Sequence, residues 1–151
     1  MNPSVFITRT LCLLAFGTLT AAAADPAPAQ AVKFEQLAKT VTKGDKPVFP
    51  EELRKLDGKR VRLTGFVAPY DDPEKMTKFL LTKAAVGCFF CNPPDENGVV
   101  LVRRGAKDKP LKYDSDSISV EGTLHLTGPD AKDEEAQQFL FTLDDATVVK
   151  K

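Results

Sequence analysis

Beyond Gly58 the hydrophobic period of the chain changes from helical to two-residue alternation, and this change most limits the folds open to it. Successive side chains of an extended chain point to opposite faces, so alternation marks a strand with one buried face. Lys59 to Ala68 places Val61, Leu63, Gly65 and Val67 on one face and Arg60, Arg62, Thr64 and Phe66 on the other. Gly65 predicts a bulge or bend, Pro69 ends the pairing, and Tyr70-Asp71-Asp72-Pro73 is turn chemistry. Further strands are predicted at Thr77 to Thr82, around Phe79, Leu80 and Leu81, and at Gly98 to Arg103, on Val99 to Val102. A fourth covers Ser117 to Leu126, with Ile118, Val120, Gly122, Leu124 and Leu126 on one side, and a fifth covers Phe139 to Val149, broken at Asp144-Asp145. The fold class that follows for residues 58–151 is mainly β, a small five-stranded OB-like antiparallel barrel. Such a barrel often carries a helix between its third and fourth strands, and Gly105 to Asp116, with Pro110, is a poor helix. An open antiparallel sheet with helices packed across it is the alternative.

Ahead of the barrel, residues 31–57 read as a helical segment. Val32, Phe34, Leu37, Ala38 and Val41 fall on one helical face before the stop at Gly44. A second short helix covers Pro50 to Leu56, where proline suits the first turn, Glu51 and Glu52 complement the positive helix end, and Gly58 terminates it. Residues 25–30 alternate proline and alanine as an extended linker. Residues 1–24 read as a secretory signal peptide: Arg9 gives a positive start, Leu11 to Thr20 an apolar run, and Ala21 to Ala24 a cleavage site. The run is shorter than the roughly 20 residues a membrane span requires, so no integral membrane segment is expected after cleavage near Ala24. The expected location is periplasmic or extracellular, and Cys12 leaves with the signal.

The charge is balanced, with 21 basic and 21 acidic residues, so the chain lacks the basic field that non-specific phosphate binding needs, and nucleic acid is not an expected partner. One histidine cannot furnish the several roles of a hydrolytic site, and no phosphate loop or serine elbow is present. The acidic groups Asp71-Asp72 with Glu74, and Asp130 with Asp133 to Glu135, lack the spacing of a calcium loop and read as solvated turns. No catalytic residue and no organic cofactor is implied.

What remains is the segment Gly87-Cys88-Phe89-Phe90-Cys91-Asn92-Pro93-Pro94, which holds both cysteines of the expected mature chain. In an oxidising compartment a disulfide is permitted. Closing four residues contributes only about 2 kcal/mol, against nearly 5 for a loop of about a hundred, so the bond would shape a loop more than stabilise a domain. A soft metal ion such as copper, or zinc, is the second reading for Cys88 and Cys91; His125 is the sole histidine that could join them, and it sits alone in a strand. Thiol–disulfide exchange is the third, although Pro93 and Pro94 remove the helix that would lower the pKa of the first thiol. Gly87, Phe89, Phe90, Pro93, Pro94 and Asn97 are the residues expected to shape this loop.

Four stretches taken together resemble a family of small exported bacterial proteins known only as a domain of unknown function: Gly65-Phe66-Val67-Ala68-Pro69, Phe79-Leu80-Leu81, Cys88 to Pro94 with Asn97, and Val120-Glu121-Gly122-Thr123-Leu124. The resemblance spans about Phe49 to Val149. It implies an OB-like barrel and an accessory role beside envelope export or metal-handling systems, with no enzymatic activity to carry over. This chain departs from the lipoprotein members in lacking a cysteine at the end of its signal. The expectation is an exported, non-enzymatic accessory or binding protein with an envelope protein as partner and the Cys88–Cys91 loop as contact site. Thiol exchange or soft-metal handling is the alternative, and oligomeric state is not set by the sequence.

Overall fold

A computed structural model describes residues 28–44, 46–85 and 93–150. The expected signal peptide and cleavage site, and Gly87, Cys88, Phe89, Phe90 and Cys91, lie outside the described residues. Among the described residues no helix is long and apolar enough to cross a membrane.

The elements in chain order are β1 (Gln30–Val32), α1 (Phe34–Leu37), β2 (Val41–Lys43), β3 (Lys46–Val48), α2 (Glu51–Arg54), β4 (Arg60–Pro69), β5 (Lys78–Thr82), β6 (Val99–Arg104), β7 (Ser117–Leu126) and β8 (Phe141–Lys150). The long sheet runs β1-β4-β5-β6-β8-β7, and β7 pairs again with β4, so the last five strands close on themselves. This is the mainly β, five-stranded OB-like barrel that the alternation predicts. One junction, β6 with β8, is parallel. A ring with an odd number of strands cannot alternate direction all the way round, so closure forces one parallel pair.

The faces assigned from sequence hold. In β4, Val61, Leu63, Gly65 and Val67 are buried and Arg62 and Thr64 exposed; in β7, Ile118, Val120, Gly122 and Leu124 are buried. Gly65 marks a close approach rather than a bulge. Strand β4 pairs with β7 from Arg60 to Phe66 and with β5 from Phe66 to Pro69, and a Cβ at Gly65 would lie 2.5 Å from the Thr82 carbonyl oxygen and 2.8 Å from the Phe34 ring. The irregularities fall instead in β8, where the register slips against β6 and β7 and Asp145 takes φ 51°, at the break the sequence marks.

The segment ahead of the barrel differs from its expected helical form. The helix predicted over Ala31 to Val41 shrinks to the single turn Phe34–Leu37, flanked by β1 and β2. The first part of β4 has an unfilled edge, since β5 reaches only as far as Phe66, and residues 30–32 fill it by pairing in parallel with Val61 to Leu63. That pairing outweighs a weak local helical preference. Gly44 accordingly sits at the end of the β2–β3 hairpin rather than ending a helix. The second helix is found, with Pro50 at its N-cap and Gly58 beyond its end at φ 72°.

Phe34, Leu37, Leu53 and Leu56 are buried in the same cluster as the inner faces of β4–β8. Between β6 and β7 no helix forms. There the chain makes one bridge, Met76 with Leu111, over the fully buried Met76. Residues from the N-terminal segment thus plug the barrel.

Candidate functional site

Strands β5 and β6 are buried on both faces. Phe79, Leu81, Val100 and Val102 point into the barrel, while Leu80 (2 % exposed), Val99 and Leu101 (0 %) form with Ala68 a second apolar cluster on the outside. Phe139 packs on that cluster and meets Tyr70 edge-on, with ring centroids 5.9 Å apart. Between them lies a hollow of about 340 Å³. Its floor is Leu80 and Val99; its walls are Pro69 at the end of β4 with Tyr70 from the β4–β5 connection, Gln138 and Phe139 from the β7–β8 connection, and Pro94 and Glu96 from the β5–β6 connection. In OB barrels the second and third strands and these same first and last connections bind ligands.

Each wall is held by polar contacts of its own. The Asp71 Oδ2 accepts from the Thr77 backbone N–H and hydroxyl, both at 3.0 Å, and from the Lys78 N–H at 3.1 Å, which fixes the turn after Tyr70. The Thr127 hydroxyl donates to the Phe139 carbonyl at 2.7 Å. At the foot of the β5–β6 connection, Asn97 Nδ2 donates to the Ala38 and Thr40 carbonyls at 3.2 and 3.1 Å. Its amide thereby ties the return of the cysteine segment to the N-terminal plug. The other foot is fastened by the Thr82 hydroxyl, which donates to the Ala84 carbonyl at 2.8 Å, and by Lys83, 3.0 Å from Glu35.

A charge network seats the acidic β7–β8 connection on the barrel. Glu135 takes Lys78 Nζ at 2.9 Å and Arg103 Nε at 3.1 Å, and Arg103 also reaches Asp133 at 2.6 Å and Asp144 at 3.6 Å. Partial burial pulls the Arg103 pKa down, but Asp144, Asp133 and Glu135 outweigh it and hold the guanidinium above its ordinary value. Desolvation works the same way against Asp133, and the Glu135 N–H with Arg103 overcomes it to leave that carboxyl below its usual range. The turn Ala136–Gln138 and then Phe139 follow directly, so the network sets where the aromatic wall stands.

The residues singled out from sequence are distributed as follows. Pro94 lines the hollow, Pro93 is exposed beside it, and Asn97 anchors its edge. His125 lies apart on β7, with its ring nitrogens 3.9 Å from Asp57 and 3.8 Å from Asp144. No group of His, Cys, Asp or Glu suited to a metal ion occurs among the described residues. Sequence reasoning passed over Tyr70, Leu80, Val99, Gln138 and Phe139. The available signal was the unbroken apolar run in Phe79 to Leu81 and again in Val99 to Val102, which marks strands buried on both sides rather than one.

No curated protein matches the chain. Among solved structures it is similar to the crystal structure of a DUF3299 family protein from Pseudomonas aeruginosa PAO1, with a TM-score of 0.54 and 21 % identity, over 82 % of this chain and 97 % of that one. At that identity the likeness speaks for the fold. The family model described as "Protein of unknown function (DUF3299)" matches residues 21–149, and the chain therefore belongs to the DUF3299 family.

Proposed function

We propose that the chain is an exported, non-enzymatic binding protein of the bacterial envelope that takes its partner at the hollow outside β5 and β6, with the Cys88–Cys91 segment contributing to the contact. The observation that carries this reading is the placement of the hollow: an apolar floor and two aromatic walls occupy the face that OB barrels use for ligands. Its lining among the described residues includes no lysine or arginine, which suits a protein partner better than a polyanion. The connection that carries the cysteines rejoins the described chain at this face, where Pro94 lines the hollow.

A photo-reactive amino acid replacing Tyr70 or Phe139 in growing cells tests the reading, with Val149 on another strand as the reference position. The expected result is a discrete adduct with one envelope protein from the two groove positions only. Equal adducts from Val149, or none from the groove, would overturn it. The second reading, exchange or soft-metal handling, rests on the Cys-x-x-Cys spacing and export. Reduction potentials near about −120 to −200 mV would favour exchange, and values below roughly −300 mV a structural bond.

A further inference from the structure

The apolar hollow does not stand alone. It shares Glu96, Gln138 and Phe139 with a second hollow of about 240 Å³ that extends to Thr42 and Pro47 on the β2–β3 hairpin. Glu96 and Leu140 are in turn shared with a third, of about 330 Å³, where Asp95 and Glu96 face Thr40 and Thr42. The three make one trough, apolar at the Tyr70 end and acidic at the other. Asp95 and Glu96 are exposed and make no ion pair among the described residues.

We infer that the trough binds an extended polypeptide segment carrying an apolar side chain next to a lysine or arginine. The apolar residue enters the Tyr70–Phe139 hollow, and the cation meets Asp95 and Glu96. Charge sets the choice of occupant: two unpaired carboxylates favour a cation and repel an acidic segment. Because Glu96 belongs to both hollows, the two anchors are near neighbours in the ligand sequence. An extended chain suits a trough made of successive hollows, where alternate side chains can be taken up one by one. This inference rests on the binding function proposed above and specifies its partner.

The test is selection of displayed random peptides on the purified chain, followed by titration of the synthetic winners into wild type and E96K. The expected outcome is enrichment of sequences with an apolar residue close to Lys or Arg, bound about tenfold more weakly by E96K, the scale of one charge-assisted hydrogen bond. Replacing the peptide cation by Glu should restore binding to E96K, which a fold defect in the variant could not do. Enrichment of peptides without a basic residue, equal binding by E96K, or no enrichment overturns the inference. Adducts from Tyr70 in cells together with no enriched peptide would reject the extended segment while leaving the envelope-binding function standing.

Discussion

The rings of Tyr70 and Phe139 meet at 78° across the outer face of the barrel, joining the first connection of the barrel to the last. Neither is on a strand, and their contact makes two walls of the groove into one rim. A double-mutant cycle of Tyr70→Ala and Phe139→Ala should give a coupling of about 0.5–1.5 kcal/mol in chemical denaturation, the range for edge-to-face pairs. Additive losses would show that the rim is not a unit.

Gly65→Ala should destabilise the fold by about 1–3 kcal/mol, because its Cβ would press on the Thr82 carbonyl, which is backbone and cannot rotate aside. Gly98→Ala, where nothing lies within 4 Å, is the control and should change the urea midpoint little. Equal effects at the two sites would remove the close-packing account of Gly65.

Arg103→Met should cost about 1–2 kcal/mol, since it leaves Glu135, Asp133 and Asp144 facing one another without the guanidinium that joins them. Amide exchange from Ala136 to Leu140 should quicken more than exchange in β4. If the two regions accelerate together, the network stabilises the barrel at large rather than the groove wall.

Asp133 and Glu35 are both held below the ordinary carboxyl range: Glu35 by its backbone hydrogen bond and Lys83, Asp133 by the Glu135 N–H and Arg103 against desolvation. A carboxyl with a depressed folded pKa contributes stability that is present above its unfolded pKa and lost as pH falls through the folded value. The urea midpoint should therefore fall on acidification below about pH 4, near the unfolded carboxyl value. For Asp133→Asn the gap to wild type should narrow over the same window. A gap that stays constant from neutral pH to about pH 3 would rule out this linkage.

The barrel was legible because each strand carries its own evidence: Val61, Leu63 and Val67 alternate with arginine and threonine, so local pattern and tertiary burial agree. The N-terminal preface was misread because Val32, Phe34 and Leu37 fit a helical face, while the partner that decided otherwise, the open edge of β4 at Val61 to Leu63, is distant in sequence. The groove was only half legible. Pro94 and Asn97 stand out as loop residues, but Tyr70, Glu96 and Phe139 come from three separate connections, and nothing in their spacing announces that closure brings them together. Leu80 and Leu101 did carry a sign of a second buried face, in apolar runs without a polar alternate.

The parallel junction of β6 and β8 also fixes the order in which the ring can close. Strand β8 is inserted between β6 and β7, so every residue before Phe141 can be synthesised and the ring will still be open. Contacts between such distant segments form late and slowly. Closure of the ring is therefore deferred until Phe141–Lys150 can pair with both β6 and β7, although β4 can already pair with β5 and β7 before then.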